Sequence, residues 1–145
     1  MASDIKVAFR PDRQGMHKLL GELEAEVMEI VWARGPCTAR VVHEQFQQTS
    51  RPLAYSTVKT VLERLSEKRL LLRQKVENAY VYRPALSKVE FTTRAMQCIV
   101  DSLLDSFAEP VVDHFLERFD HATPEQRSRL EYLVARAQLN HRNGA

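Results

Sequence analysis

The chain has only four glycines, two cysteines and one tryptophan in 145 residues. So few glycines leave little material for a phosphate-cradling nucleotide loop, and neither H-E-x-x-H nor G-x-S-x-G occurs. The five histidines, His17, His43, His114, His121 and His141, are scattered. Nothing here points to an enzyme, a cofactor or a metal. Cys37 and Cys98 do not form a C-x-x-C pair, which argues against a disulfide framework and a structural zinc site. No apolar run approaches the roughly 18 residues that would announce a membrane span. Met1 to Lys18 mixes charges throughout and lacks the apolar core of a signal peptide, so the expectation is a cytoplasmic protein without membrane insertion.

The net charge is only +2, but its distribution is uneven. Met16 to Ser50 holds three Lys/Arg against five Glu. Arg51 to Arg83 holds eight against three, and Pro84 to Ala145 seven against nine acids. Positive charge is concentrated on one middle segment, the distribution expected where phosphate is approached. A solvated basic face without a partner is the plainer alternative.

Local patterns divide the chain into an arm (1–18), a first domain (19–85) and a helical tail (86–145). The arm has no sustained period and contains Pro11 and Gly15, as a mobile terminus does. Leu20, Leu23, Val27 and Ile30/Val31 recur at helical spacing, with Glu22, Glu24 and Glu26 early and Arg34-Gly35-Pro36 as a stop. Thr38 is the expected N-cap of a second helix through about Gln47, with Cys37 and Val42 as a hydrophobic staple. A third helix is expected from Tyr55 to Lys68, with Val58, Val61, Leu62 and Leu65 on its apolar face. Its early turns are small, hydroxylated and free of acid. Leu71 to Val76 and Tyr80 to Arg83 read as strands joined by Glu77-Asn78-Ala79, where Asn78 is expected to carry a positive backbone angle. Tyr80 and Tyr82 are read as sheet packing. Three helices followed by a basic hairpin are the layout of a winged helix-turn-helix. The fold class is therefore mainly α with a small β wing, plus a C-terminal helical dimerisation region.

In the tail, Ser87 to Glu90 forms a capping box that opens a helix to about Phe107, and Pro110 begins another. Thr123 to Gln126 is a second capping box. Phe91, Met96, Ile99, Val100, Leu103 and Phe107 line one broad face, followed by Val111, Val112, Phe115, Leu116 and Phe119, then Leu130, Leu133, Val134 and Ala137. So much apolar face is hard to bury within one short tail. Pairing two copies would cover it; folding back onto the first domain is the alternative.

With these parts in order, Leu20 to Gln138 resembles the penicillinase-repressor family of bacterial transcription factors (BlaI/MecI type, which includes the copper-responsive CopY type). The resemblance rests on Leu23 to Trp32 (LEAEVMEIVW), Ala54 to Leu65 (AYSTVKTVLERL) and Ala79 to Pro84 (AYVYRP). It implies a homodimeric repressor on dyad-symmetric double-stranded operator DNA. In the BlaI/MecI branch it further implies a membrane sensor of β-lactams whose signalling pathway ends in cleavage of the dimerisation region. The family's scissile bond lies between asparagine and phenylalanine; here His114 precedes Phe115, which makes these two the candidate proteolytic site. The CopY branch carries paired C-x-C motifs that this chain lacks.

The third helix would enter the major groove, with Tyr55, Ser56, Thr57, Lys59, Thr60 and Arg64 as candidate contacts. Arg51, Arg73, Lys75 and Asn78 would position the DNA backbone. Phe91, Met96, Ile99, Val100, Leu103, Phe107, Val112, Phe115, Leu116, Phe119, Leu130, Leu133 and Val134 would join the two copies. Two alternatives stand beside this. One is a winged-helix module that binds protein, which predicts acidic or apolar groups on the third helix's exposed face. The other is a metal- or redox-sensing repressor using Cys98 with His114, set against Cys37 and Cys98 as core packing.

Overall fold

A computed structural model describes residues 7–144. The elements are a single 3-10 turn (Gly15–Lys18), α1 (Glu22–Arg34), β1 (Cys37–Thr38), α2 (Ala39–Gln47), α3 (Tyr55–Glu67), β2 (Leu71–Val76), β3 (Ala79–Pro84), α4 (Lys88–Asp120) and α5 (Pro124–Asn143). They form two compact units, 1–101 and 102–145. The first unit is a winged helix-turn-helix: three helices packed on a small antiparallel sheet.

Each helix of the first unit ends for a local reason. Gly35 stops α1 because the backbone there has φ +80°, and its N–H closes onto Val31 O at 2.8 Å. Thr38 caps α2 as expected, its side chain accepting from Val41 N at 3.3 Å. α3 closes in a Schellman motif, with Arg69 N on Ser66 O and Leu70 N on Leu65 O, both at 3.0 Å. Arg69 takes the left-handed position at φ 63°, and the buried pair Leu65 and Leu70 forms the accompanying apolar contact.

The sheet has strand order β1-β3-β2. The hairpin registers Leu71 with Pro84 and Val76 with Ala79, so Glu77 and Asn78 alone form the turn. The positive angle falls on Glu77 (φ 56°), not on Asn78. The first of the two turn residues thus bears the positive φ that such tight hairpin turns need, whereas the expectation had the second bear it. The two-residue β1 was not foreseen. It pairs Cys37 with Tyr82 and Thr38 with Val81, and two residues are too few to show an alternating pattern.

The core gathers Val27, Met28 and Val31 of α1, Val42 and Phe46 of α2, the expected apolar face of α3, and Leu71 and Tyr82 of the sheet. Phe91 and Ala95 at the start of α4 close it. Trp32 lies beside Phe91 with ring centroids 5.8 Å apart and donates its indole N–H to Leu86 O at 3.0 Å. Phe91 is 1 % exposed, so it serves its own chain's core and is withdrawn from the list of dimer contacts. The arm also differs from expectation over its described part. Arg10 N bonds Lys18 O at 2.8 Å, while Val7 and Met16 pack against the core. Apolar side chains at those two positions provide the hold that charge content alone obscured. Residues 1–6, including Lys6, lie outside the described residues.

The second unit contains the end of α4 and α5. α4 is broken at Phe107 (φ −138°, ψ 43°), three residues before Pro110. A proline lacks the N–H that would bond Ser106 O and its ring crowds that carbonyl, so the helix yields just upstream. The Thr123 capping box is complete: Gln126 N donates to Thr123 Oγ1 at 3.2 Å and Thr123 N to Gln126 Oε1 at 3.0 Å. The Ser87 box is formed in its forward half, Glu90 N on Ser87 Oγ at 3.1 Å. From Met96 to Gly144 no described residue is buried.

Candidate nucleic-acid interface

α3 turns one face inward and leaves the other bare. Val58, Val61, Leu62 and Leu65 are buried, whereas Tyr55, Ser56, Lys59, Thr60 and Arg64 are exposed and Thr57 is half-buried. At 3.6 residues per turn, Ser56, Thr60 and Arg64 stack in one column and Tyr55 and Lys59 in the next. Lys59 and Arg64 form no ion pair among the described residues, so their charges remain available. Thr60 Oγ1 donates to Ser56 O at 2.9 Å, which spends the hydroxyl proton on the backbone.

The N-terminus of α3 is open as well. Its cap residue Ala54 offers no side-chain acceptor, and its first turn holds no acid. Open amides at the positive end of a helix dipole are an anion site of the kind that meets phosphate. Glu63 is half-buried and Glu67 lies in the last turn; with Arg73 they line a groove between α3 and β2.

On the wing, alternation places Leu71, Arg73 and Lys75 on one face of β2, with Leu72, Gln74 and Val76 on the other. Arg73 stands 4.7 Å from the centre of the Tyr80 ring and opposite Tyr82. Burial pushes the Tyr82 phenol up, and the Arg73 guanidinium pulls it partly back. The exposed Tyr80 thus supports a cation, while Tyr82 packs inside as expected. Lys75, Asn78 and Arg83 are exposed. Arg83 was not among the expected contacts, although its place in the second strand of the basic hairpin was visible in the sequence.

Arg51 is not free. Its Nη1 lies 2.7 Å from Glu22 Oε1 and 3.9 Å from Glu26 Oε1 on α1. The Arg51 guanidinium holds the Glu22 carboxyl below the usual carboxylate range. All three groups reach solvent, so a phosphate would compete with two carboxylates for this arginine. An ion pair between residues 29 apart had no signal in the sequence.

The tail residues Leu103, Phe107, Val112, Phe115, Leu116, Phe119, Leu130, Leu133 and Val134, together with Met96, are exposed. Phe115 is 65 % exposed, far from ordinary for a phenylalanine. Ile99 and Val100 are half-buried. His114 and Phe115 lie within the helical run of α4. Among the described residues, no helix is long and apolar enough to cross a membrane, and no group of three or more His, Cys, Asp or Glu could hold a metal ion.

The penicillinase repressor family model matches residues 20–136. Over 126 residues the chain is 34 % identical to the transcriptional regulator BlaI of Mycobacterium tuberculosis (strain CDC 1551 / Oshkosh), across 86 % of this chain and 88 % of that protein. The same identity and coverage hold for BlaI of strain ATCC 25618 / H37Rv. Among solved structures, Bordetella bronchiseptica BpsR, whose DNA binding is regulated by 6-hydroxynicotinic acid, overlaps 82 % of this chain and 80 % of its own at 17 % identity, with a TM-score of 0.42. At that score the likeness carries no argument. The sequence matches do: the chain belongs to the penicillinase repressor family, a family of transcriptional regulators and not of enzymes.

Proposed function

We propose that this repressor-family protein works as a homodimer on a dyad-symmetric operator, with one α3 in each of two major grooves. The observation that carries the reading is the exposed face of α3: hydroxyls and the unpaired Lys59 in the early turns, above an uncapped, acid-free helix start, with the unpaired Arg64 on the same exposed side in the last turn. Lys59 and Arg64 can read guanine edges or clamp phosphate, and Ser56, Thr57 and Thr60 offer hydroxyls and methyls to neighbouring bases. Tyr55 borders the groove. Arg73, Lys75 and Asn78 on the wing contact the DNA backbone, and Arg51 joins them where phosphate outcompetes Glu22. A protein-binding winged helix would instead present acid or apolar groups on those turns.

The tail supports pairing. Its exposed Phe115, Leu116 and Val134 need a cover, and a second copy supplies the same apolar stripe in return. Two linked modules then hold DNA far more tightly than one. Repression is relieved when the tail is cut or perturbed, for instance at the His114–Phe115 bond by a pathway that begins at a membrane sensor. That bond is helical, so a protease reaches it only after local unwinding, and the break at Phe107 beside Pro110 makes this stretch the easier one to open.

The test is recovery of DNA fragments from the source genome on the purified protein across a salt series. The reading predicts that a few promoter fragments sharing an inverted repeat survive as salt rises. Uniform recovery that vanishes with salt would reduce the interaction to phosphate attraction.

A further inference from the structure

The start of α3 is held in place by one side chain outside it. Gln47, the last residue of α2, sends its amide nitrogen to two acceptors across the loop: Leu53 O at 3.0 Å and His43 Nε2 at 2.9 Å. Leu53 lies two residues before α3 begins. The His43 ring meets the ring of Tyr55, the first residue of α3, edge to face, with centroids 5.6 Å apart and planes at 89°. Since Ala54 provides no cap, the approach of α3 is fixed through these contacts rather than by a capping residue of its own.

The chemistry of the latch is determinate. A carbonyl only accepts, so the Gln47 atom at Leu53 O is the NH2 group, and that group cannot accept from the imidazole. His43 must therefore present a bare Nε2 and carry its proton on Nδ1.

We infer that Gln47 is a positioning residue for DNA reading: by tying His43 and Leu53 together it sets how Tyr55 and the first turn of α3 face the groove. The inference rests on the DNA-reading role of α3 proposed above. Both bonds are solvent-exposed, so they add little to stability. Their effect is orientational, and it shows where base edges demand a fixed geometry while phosphates do not.

The experiment compares the full-length wild type with Gln47→Met, which keeps the reach of the side chain and loses both N–H groups. The probes are a duplex selected from a random library by the wild type and a scrambled duplex of equal length. A long-range 1H–15N spectrum at pH 8, with the His43 signals assigned through His43→Gln, reads the tautomer. We expect wild-type His43 protonated on Nδ1, and loss of that tautomer's dominance in Gln47→Met. Affinity for the selected duplex should fall about tenfold in the variant, the size of one base-edge hydrogen bond lost through misalignment of α3, while affinity for the scrambled duplex stays within about twofold. An Nε2-protonated His43 in the wild type overturns the latch. An unchanged ratio of affinities in a variant whose tautomer has changed overturns the positioning role alone. Failure of the wild type to prefer any duplex overturns the DNA-reading role beneath it.

Discussion

Glu24 is the only charged side chain that the described part of the core takes in, and it does so because Lys68 follows it. The Lys68 ammonium donates to both carboxylate oxygens, at 2.8 and 3.0 Å, and joins α1 to the end of α3. Lys68→Ala would leave a nearly buried carboxylate without its cation; since Lys68 itself is partly solvated, the expected cost is about 2 kcal/mol, below the roughly 3–5 kcal/mol for breaking a fully buried pair. Urea denaturation should show a lowered midpoint with an unchanged slope, and an unchanged midpoint would show that water compensates the carboxylate. Cys37 permits a pH prediction. Burial pushes its thiol up, with nearby Arg34 pulling slightly the other way. The raised folded value means that its contribution to stability is fully present below the ordinary thiol range of ~8.5 and is lost as pH rises through the folded value. Iodoacetamide at pH 8 should leave the Cys37 peptide unmodified until denaturant is added; rapid labelling of the native protein would contradict its burial.

Among the elements, the third helix was the most legible from sequence. Its four apolar positions lie at helical spacing, and all four are buried. The N-cap at Thr38 and the capping box at Thr123 were legible for the same reason: local chemistry within three residues decides both. What escaped was non-local or too short. The two-residue β1 exists only because β3 lies beside it. The pairing of Arg51 with Glu22 and the Gln47 latch depend on how loop 48–54 folds back, which no periodicity encodes. The candidate contacts on α3 were legible as an exposed polar face, but their geometry was not. The hairpin turn yields a further prediction. Glu77 carries a left-handed angle that costs a side-chain residue about 1–2 kcal/mol, partly offset in glycine by greater freedom of the unfolded chain. Glu77→Gly should therefore stabilise the protein by up to about 1 kcal/mol, read as a higher Tm in thermal melts. A lower Tm would mean that the Glu77 side chain contributes more than its backbone costs.

For the whole molecule, the two units differ in what they bury. The first closes a core around Trp32, Phe91 and the sheet, whereas the second buries none of its apolar stripe. A stable protein–protein interface of roughly 1,200–2,000 Å² would cover such a stripe. Phe115→Asp places a charge at its most exposed aromatic position. Sedimentation equilibrium should find a monomer with unchanged far-UV dichroism, and affinity for selected DNA should drop by about 100-fold through lost avidity. A variant that remains dimeric would move the interface elsewhere.

The most direct test of a dimer reading a two-fold operator is hydroxyl-radical footprinting on a selected fragment. A dimer on a two-fold operator gives two protected patches on each strand, related by a dyad and centred about one helical turn, or a whole multiple of it, apart. A single patch without symmetry, or protection spread evenly along the fragment, would contradict it.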